Sequence, residues 1–449
     1  MYKVKLTRLI IKKLYGLYEY DIEFNNDITF LYGLNGCGKT TVLNITQSII
    51  TGNLFELLDY NFNEIQLFYN SKEEESDSII VTKNNNELDV CFEGEKYIIE
   101  ENRQISKDST NTSEEYIKKH NFYFENYEFL RYINRMFNYV YLPLNRTVNS
   151  DSFYVDDFRY YNRVYHRQRY FSEMKNVPSN KRDKALMDVE MLIYETINKA
   201  NLEITSINDS FRNNILKSSL DIGANSDIKQ IHQQISYYTK EKIQEIEQSY
   251  IRLLSDLDIL SSEEKRTFTK FFKKLITLME KKDTGKPEDI ANLILDFIEL
   301  NRIEKFTHIA SSAESQKNKV RENIQLFEKT INEFIQNGEN DKKIVITDEG
   351  EIGFRTNFSD DLISVQYLSS GERQLLIFFA NLIFKVGKSS SGIFVVDEPE
   401  LSLHLSWQKI FVETAIKINP NIQMIFATHS PEFIGKNRNR MVKLDKKLS

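Results

Sequence analysis

Apolar positions along this chain change period twice. In the first hundred residues, Val4 to Ile10, Tyr20 to Phe24, Ile65 to Tyr69, Ser78 to Thr82, Leu88 to Phe92 and Lys96 to Ile99 alternate apolar and polar side chains. Such a period of two, with Asn, Ser and Gly between the runs, predicts short strands in an antiparallel subdomain. Ile28 to Tyr32 is an apolar strand of a different setting, because a glycine-rich loop and the helix Thr41 to Ile50 follow it. Residues 102 to 116 are polar and read as a mobile loop, and the strand Tyr139 to Leu144 closes this part.

From about 150 to 340 the pattern becomes helical and charged. Ile228, Ile231, Ile235 and Tyr238 keep a 3-4 spacing, which slips near Lys242 and resumes at Ile246, Tyr250, Leu253, Leu257 and Leu260. Val320, Ile324, Phe327, Ile331 and Phe334 repeat it. These spacings predict paired-helix seams, the first about 50 Å long at ~1.5 Å per residue. Gly223 and the Gly285-Lys-Pro287 break predict helices folded back on one another. Strands at Lys343 to Thr347 and Ile363 to Tyr367 then return to the first pattern. The expected organisation is an α/β head in two halves, 1–150 and 341–449, split by a helical insertion, 151–340.

The loop after Tyr32 carries the first chemistry. Gly33-Leu-Asn-Gly-Cys-Gly38-Lys39-Thr40 fits a phosphate-cradling loop between a strand and a helix. Its glycines, Gly33, Gly36 and Gly38, let backbone N–H groups turn inward, and the helix N-terminus adds its positive dipole. Lys39 is placed to reach β/γ-phosphates and the Thr40 hydroxyl to ligate Mg²⁺. ATP and Mg²⁺ are therefore the expected ligands, and alkylation of Cys37 is expected to block them.

Three motifs lie over 300 residues downstream. Leu368-Ser369-Ser370-Gly371-Glu372 opens the apolar helix Arg373 to Phe384. It reads either as an ordinary N-cap with Glu372 in the first turn or as a second anion site. Ile393-Phe-Val-Val-Asp397-Glu398-Pro399-Glu400 is an apolar strand ending in adjacent carboxylates, the edge where open α/β sheets place ligand chemistry. Asp397 suits Mg²⁺ and Glu398 suits polarisation of an attacking water. Ile422-Gln-Met-Ile-Phe-Ala-Thr-His429-Ser-Pro431 is a further strand with a polar end. His429 is either structural or a hydrogen-bond partner of a γ-phosphate or its water.

In this order the motifs resemble those of the ATP-binding-cassette ATPases, in the SMC, RecF-like and OLD-like branch. Asn35, Gly36 and Thr41 match that branch's loop, Leu368 to Glu372 its signature (with Ser and Glu where many members have Gly and Gln), and Asp397-Glu398-Pro399 with His429 its Walker B and switch positions. Glu398-Pro-Glu-Leu-Ser-Leu-His404 is similar to the form in OLD-like ATPases of defence and DNA repair, including Septu-type ATPase subunits. The resemblance implies a head with a mixed sheet, an antiparallel β subdomain and a partly coiled-coil insertion. It also implies a homodimer, or higher homo-oligomer, of heads. Ser369, Ser370 and Gly371 would then act on a partner's nucleotide, with Glu398 and His429 as catalytic residues. The family's Q-loop glutamine has no matching residue, and Asn145 stands nearest its place.

Composition narrows the setting. The chain has 449 residues, with 41% hydrophobic and 12% aromatic content, enough for two or three folded units. Neither a signal peptide nor an apolar run of about 18 residues is present, so the expectation is a cytoplasmic protein without a membrane partner. Cys37 and Cys91 offer no disulfide framework and no Cys-x-x-Cys zinc hook. A net charge of −7 argues against a globally basic nucleic-acid binder.

One segment of the insertion is distinct: Phe158 to Phe171 interleaves four arginines with six aromatics, and Arg159, Arg163 and Arg167 fall at i, i+4 and i+8. It suits nucleic acid, a protein interface or packing on the head. About 20 residues follow His429, too few for a C-terminal nuclease domain. Any cleavage under control of this ATPase is thus expected from a separate effector, such as a nuclease. The alternative is a nucleotide-sensing scaffold with little turnover that holds an effector inactive. A transporter subunit fits poorly, because the residues between loop and signature are charged helices.

Overall fold

The computed structural model describes residues 4–34, 36–72, 75–102, 112–142, 183–220, 238–256, 261–280, 287–336, 341–387, 391–444 and 447–448. The chain divides into two compact units, Met1–Ile197 with Asn323–Ser449, and Asn198–Glu322. In chain order the elements begin with β1 (Lys5–Leu14), β2 (Tyr18–Glu23), β3 (Ile28–Tyr32), α1 (Lys39–Ile50), β4 (Glu64–Lys72), β5 (Glu75–Asn84), β6 (Glu87–Phe92) and β7 (Glu95–Glu100). There follow α2 (Thr112–Asn126), α3 (Glu128–Met136), β8 (Tyr139–Leu142), α4 (Lys184–Leu220), α5 (Lys240–Asp256), α6 (Ser262–Glu280) and α7 (Pro287–Gln336). The remainder comprises β9 (Lys342–Ile346), β10 (Ile352–Thr356), β11 (Ser359–Ser364), α8 (Ser370–Ala380), β12 (Ile393–Asp397), α9 (Leu405–Ile418), β13 (Gln423–Thr428), α10 (Pro431–Ile434), β14 (Met441–Lys443) and β15 (Lys447–Leu448).

In the larger unit a parallel sheet of order β14-β3-β13-β12-β8 carries the motifs. Its central strands are buried on both faces, which explains their unbroken apolar sequence. Phe30, Phe394, Val396, Met424 and Phe426 face one core with Phe378, Phe411 and Phe433. Leu31, Ile393, Val395, Ile425 and Ala427 face the other with Val42, Ile45 and Ile49 of α1. An antiparallel sheet of order β15-β2-β1-β4-β5-β6-β7 shares this second core through Leu9, Ile11, Ile65, Leu67, Val81 and Val90. Gln423 ties the two sheets. Its side-chain oxygen accepts the Leu6 N–H at 2.8 Å, and its amide donates to the carbonyls of Leu6 and Asn25. The mixed α/β class expected from the motifs is the class observed.

Several expectations change. Thr112 to Tyr116, read as loop, open α2, whose aromatic residues join the core: Phe55 stacks on Tyr123 at 4.9 Å. Strand β11 ends at Ser364, and Val365–Tyr367 form a 3₁₀ turn instead of continuing the strand, because the Ser364 hydroxyl accepts the Gln366 N–H. Strand β10, absent from the sequence reading, lies between β11 and β9. Phe327, Ile331 and Phe334 of α7 enter the head core, with Phe334 5.2 Å from Phe379 and 6.3 Å from Phe411. Ala185, Leu186, Val189 and Ile193 of α4 join the same core. The division between the two units falls within α4 and α7.

The smaller unit has its own core of Tyr238, Ile243, Ile246, Phe272, Leu275, Phe297, Leu300 and Ile303, built by α5, α6 and α7. Of the expected long seam, Ile228, Ile231, Ile235, Leu257 and Leu260 lie outside the described residues. Tyr238 and Thr239 precede α5, and its 17 residues span about 25 Å. Tyr238 donates to Glu304 at 2.6 Å, and Tyr250 meets Phe268 edge-on at 5.2 Å. Three helices share the core, so apolar residues at several angles around α5 are buried, Ile243 and Leu254 among them. Among the described residues no helix is long and apolar enough to cross a membrane.

Candidate nucleotide site

Strand β3 delivers the glycine-rich loop to the C-terminal edge of the parallel sheet, and α1 leaves it. Gly38 is the N-cap, with φ +96°, a conformation that glycine alone adopts cheaply. A Cβ there would stand 2.5 Å from the Tyr20 hydroxyl, which donates to the Cys37 carbonyl at 2.9 Å. No side chain caps α1, so its first-turn amides are left for an outside acceptor. Cys37 is buried, Gly36 is exposed, and Thr41 is half-buried. Lys39 folds back and is buried, donating to the Gly33 carbonyl at 3.1 Å and to the His429 ring.

Strand β12 brings the carboxylates to the same edge. Asp397 ends it, and its Oδ2 accepts the Thr40 hydroxyl at 2.8 Å. Burial raises the Asp397 carboxyl above its ordinary range, the Thr40 hydrogen bond opposes that, and the Glu398 charge adds to it. Its Oδ1 is buried with no hydrogen-bond partner. A hydroxyl and a carboxylate with a spare buried oxygen are hard donors suited to Mg²⁺, which ordinarily keeps phosphate and water as its other ligands. The two residues fit that ion. Among the described residues there is no His, Cys, Asp and Glu group of three or more that could hold a metal, so no all-protein cage competes.

Glu398 follows at φ +46°, a left-handed conformation costing a non-glycine residue about 1 kcal/mol or more. Its N–H donates to the Ala427 carbonyl at 2.8 Å, extending the β12–β13 ladder by one step. The carboxylate lies 3.6 Å from His429 Nε2 and is partly open to solvent. Strand β13 lies between β3 and β12, so His429 emerges between the lysine and the carboxylates. Glu400 Oε1 accepts the N–H groups of His429 at 2.7 Å and Ser430 at 3.2 Å. The structure thus gathers Lys39, Thr40, Asp397, Glu398 and His429 from three neighbouring strand ends.

The signature segment is arranged otherwise. Ser369 caps α8 in a full capping box: its hydroxyl accepts the Glu372 N–H, and the Glu372 carboxylate accepts the Ser369 N–H at 2.7 Å and hydroxyl at 2.8 Å. Lys342 pairs with the buried Glu372 carboxylate at 3.1 Å. Ser369 and Ser370 are exposed. Gly371 is buried, and a Cβ there would lie 2.5 Å from the Ser402 carbonyl. Gln374, one turn on, donates to the Pro399 carbonyl. Asn35, Asn145, Arg159, Arg163 and Arg167 lie outside the described residues.

Sequence reasoning did not assign Tyr20, Lys342, Gln374 or Glu400. Glu400 was within reach, since it is the third carboxylate of Asp397-Glu-Pro-Glu400; the others act through tertiary contacts with no local pattern.

Comparison with known proteins points to an ATPase domain. A family described as AAA ATPase domain matches residues 5–434. The chain belongs to that family. It therefore carries an ATPase domain across most of its length. A retron Vc95 probable ATPase of Vibrio cholerae serotype O1 biovar El Tor is 30% identical over 95 residues, 19% of this chain and 18% of that protein. A retron Ec83 probable ATPase of Escherichia coli is 34% identical over 79 residues, 16% of this chain and 15% of that protein. The matched stretches thus span less than one fifth of either relative. Solved structures it is similar to include an Smc head domain with an extended coiled coil from Pyrococcus furiosus, at TM-score 0.38 and 11% identity, covering 99% of this chain and 96% of that one. Another is an Smc head with a coiled coil and joint from Pyrococcus yayanosii, at TM-score 0.37 and 13% identity, covering 99% and 97%.

Proposed function

We propose that this chain hydrolyses ATP in composite sites formed when two heads pair, and that the pairing controls a separate effector. The observation that carries the reading is the convergence of Lys39, Thr40, Asp397, Glu398 and His429 on one sheet edge. The first-turn amides of α1 and Lys39 would take the β- and γ-phosphates, the lysine exchanging its carbonyl and histidine partners for them. Thr40 and Asp397 would hold Mg²⁺, which when bound neutralises phosphate charge. Glu398 orients water and accepts its proton, and His429, already within reach of Glu398, bonds the γ-phosphate or that water. Ser370 and Gly371 of a second copy would complete each site.

A DNA-linked or defence-related effector is supported by the resemblance of Glu398-Pro-Glu-Leu-Ser-Leu-His404 to OLD-like ATPases and by the retron ATPases among the relatives. An ATP-bound pair would present one arrangement to the effector and the hydrolysed state another, a two-state element biased by ligand.

Glu398→Gln tests the reading in one variant. Loss of the general base should lower steady-state turnover by about 10²- to 10⁴-fold. ATP binding by calorimetry should persist, and dimers should accumulate with ATP in sizing experiments. Turnover equal to wild type sinks the role of Glu398. Monomers at saturating ATP sink the composite site.

A further inference from the structure

We propose that Glu400 is a positioning residue for His429, setting the imidazole against Lys39 and Glu398 by clamping the backbone just past β13. The inference rests on the hydrolytic reading of this site.

Strands β12 and β13 run parallel with Asp397 opposite Ala427, so the residues beyond each end meet across the same edge. Regular ladder bonding stops after Glu398 N–H reaches the Ala427 carbonyl. His429 and Ser430 then need acceptors from elsewhere. One carboxylate oxygen of Glu400 accepts both, at 2.7 and 3.2 Å, and the Ser430 N–H is shared with the Thr428 hydroxyl at 3.0 Å. An ionised acceptor makes shorter and stronger bonds than a carbonyl, and one oxygen shared by consecutive amides fixes the direction of the chain between them.

Neighbours hold both sides of this clamp. Ser430 caps α10, its hydroxyl accepting the Phe433 N–H and donating to Gln408 Oε1 at 2.8 Å. Gln408 in turn donates to the Leu403 carbonyl at 3.0 Å. On the other side Gln374 of α8 holds the Pro399 carbonyl, next to Glu400. The turn that begins with Glu398 is therefore fixed to the signature helix, and the backbone of His429 is fixed to that turn. Glu400 Oε2 is buried without a hydrogen-bond partner.

The test is a mutant cycle on full-length protein. Glu400→Ala should lower kcat by about 10- to 100-fold, the scale expected when a reacting group is misplaced by about 1 Å. The Kd for ATP, read by calorimetry, should change less than about threefold. Glu400→Gln keeps an oxygen for the two amides but loses the charge, and should fall between alanine and wild type. In a His429→Ala background, Glu400→Ala should cost no further activity, since nothing remains to position. An equal loss in both backgrounds overturns the inference while leaving the hydrolytic site intact. Wild-type turnover by His429→Ala overturns the inference and the role of His429, while hydrolysis at the site stands. Circular dichroism and melting confirm that each variant is folded; if alanine is not, Gln and Asp at 400 carry the cycle.

Discussion

Two helices of this head begin on glycine-containing turns beside the sheet edge, and they use their N-termini in opposite ways. Helix α1 starts at Gly38 with no side-chain cap, while α8 starts at Ser369 with its cap complete on both sides. An uncapped helix end keeps its orphan N–H groups for an outside anion, and a capped end has already spent some of them. The same contrast holds for charge. The first turn of α1 contains no acidic residue, whereas α8 carries Glu372, buried and paired with Lys342. One end is built around something that arrives; the other is stable before anything does.

The contrast is easiest to break at Gly38. Gly38→Ala combines left-handed strain with a clash against the Tyr20 hydroxyl, so the loop must move. ATP affinity should fall by at least about 30-fold, or ~2 kcal/mol, and calorimetry reads it directly. Unchanged affinity would mean that the loop's shape is not what holds phosphate. Ser369→Ala should do the reverse: stability drops by about 1 kcal/mol in denaturant titration through loss of the cap, with ATP affinity unaltered. A weakened affinity of the monomer would place Ser369 in its own chain's site.

The smallest effect lies at the far end of α1. Glu56 is held by the Ser48 hydroxyl at 2.5 Å and the Tyr116 hydroxyl at 3.0 Å. Burial raises its carboxyl above the ordinary range, against those two hydrogen bonds. A group whose folded pKa is raised contributes stability below the unfolded value, about 4.3, and loses it as pH rises through the folded one. Glu56→Gln should therefore gain on wild type as pH rises from acid toward neutral, in paired melting curves. A pH-independent gap between the two would show that the Glu56 carboxyl titrates alike in the folded and unfolded chain.

What was legible in sequence follows the same division. The loop from Gly33 to Thr40 and the carboxylates after Val396 are contiguous, so their chemistry survives in one dimension. The strands of the parallel sheet were legible because both faces are buried and the runs are uniformly apolar. The helices misled. Phe327, Ile331 and Phe334 have the spacing of a paired helix, and periodicity reports a buried face without saying what buries it. Glu400 and Gln374 were missed because their partners are backbone groups, which every residue has and no motif marks.

The contact between Gly371 and the Ser402 carbonyl bears on how any survey of tolerated substitutions should be interpreted. Packing alone excludes every larger residue from position 371, whether or not a second copy ever brings a nucleotide to it. Intolerance there would be the mark of a crowded turn. Ser370 next to it is exposed, so its freedom to vary is the more telling record of whether that surface meets a phosphate.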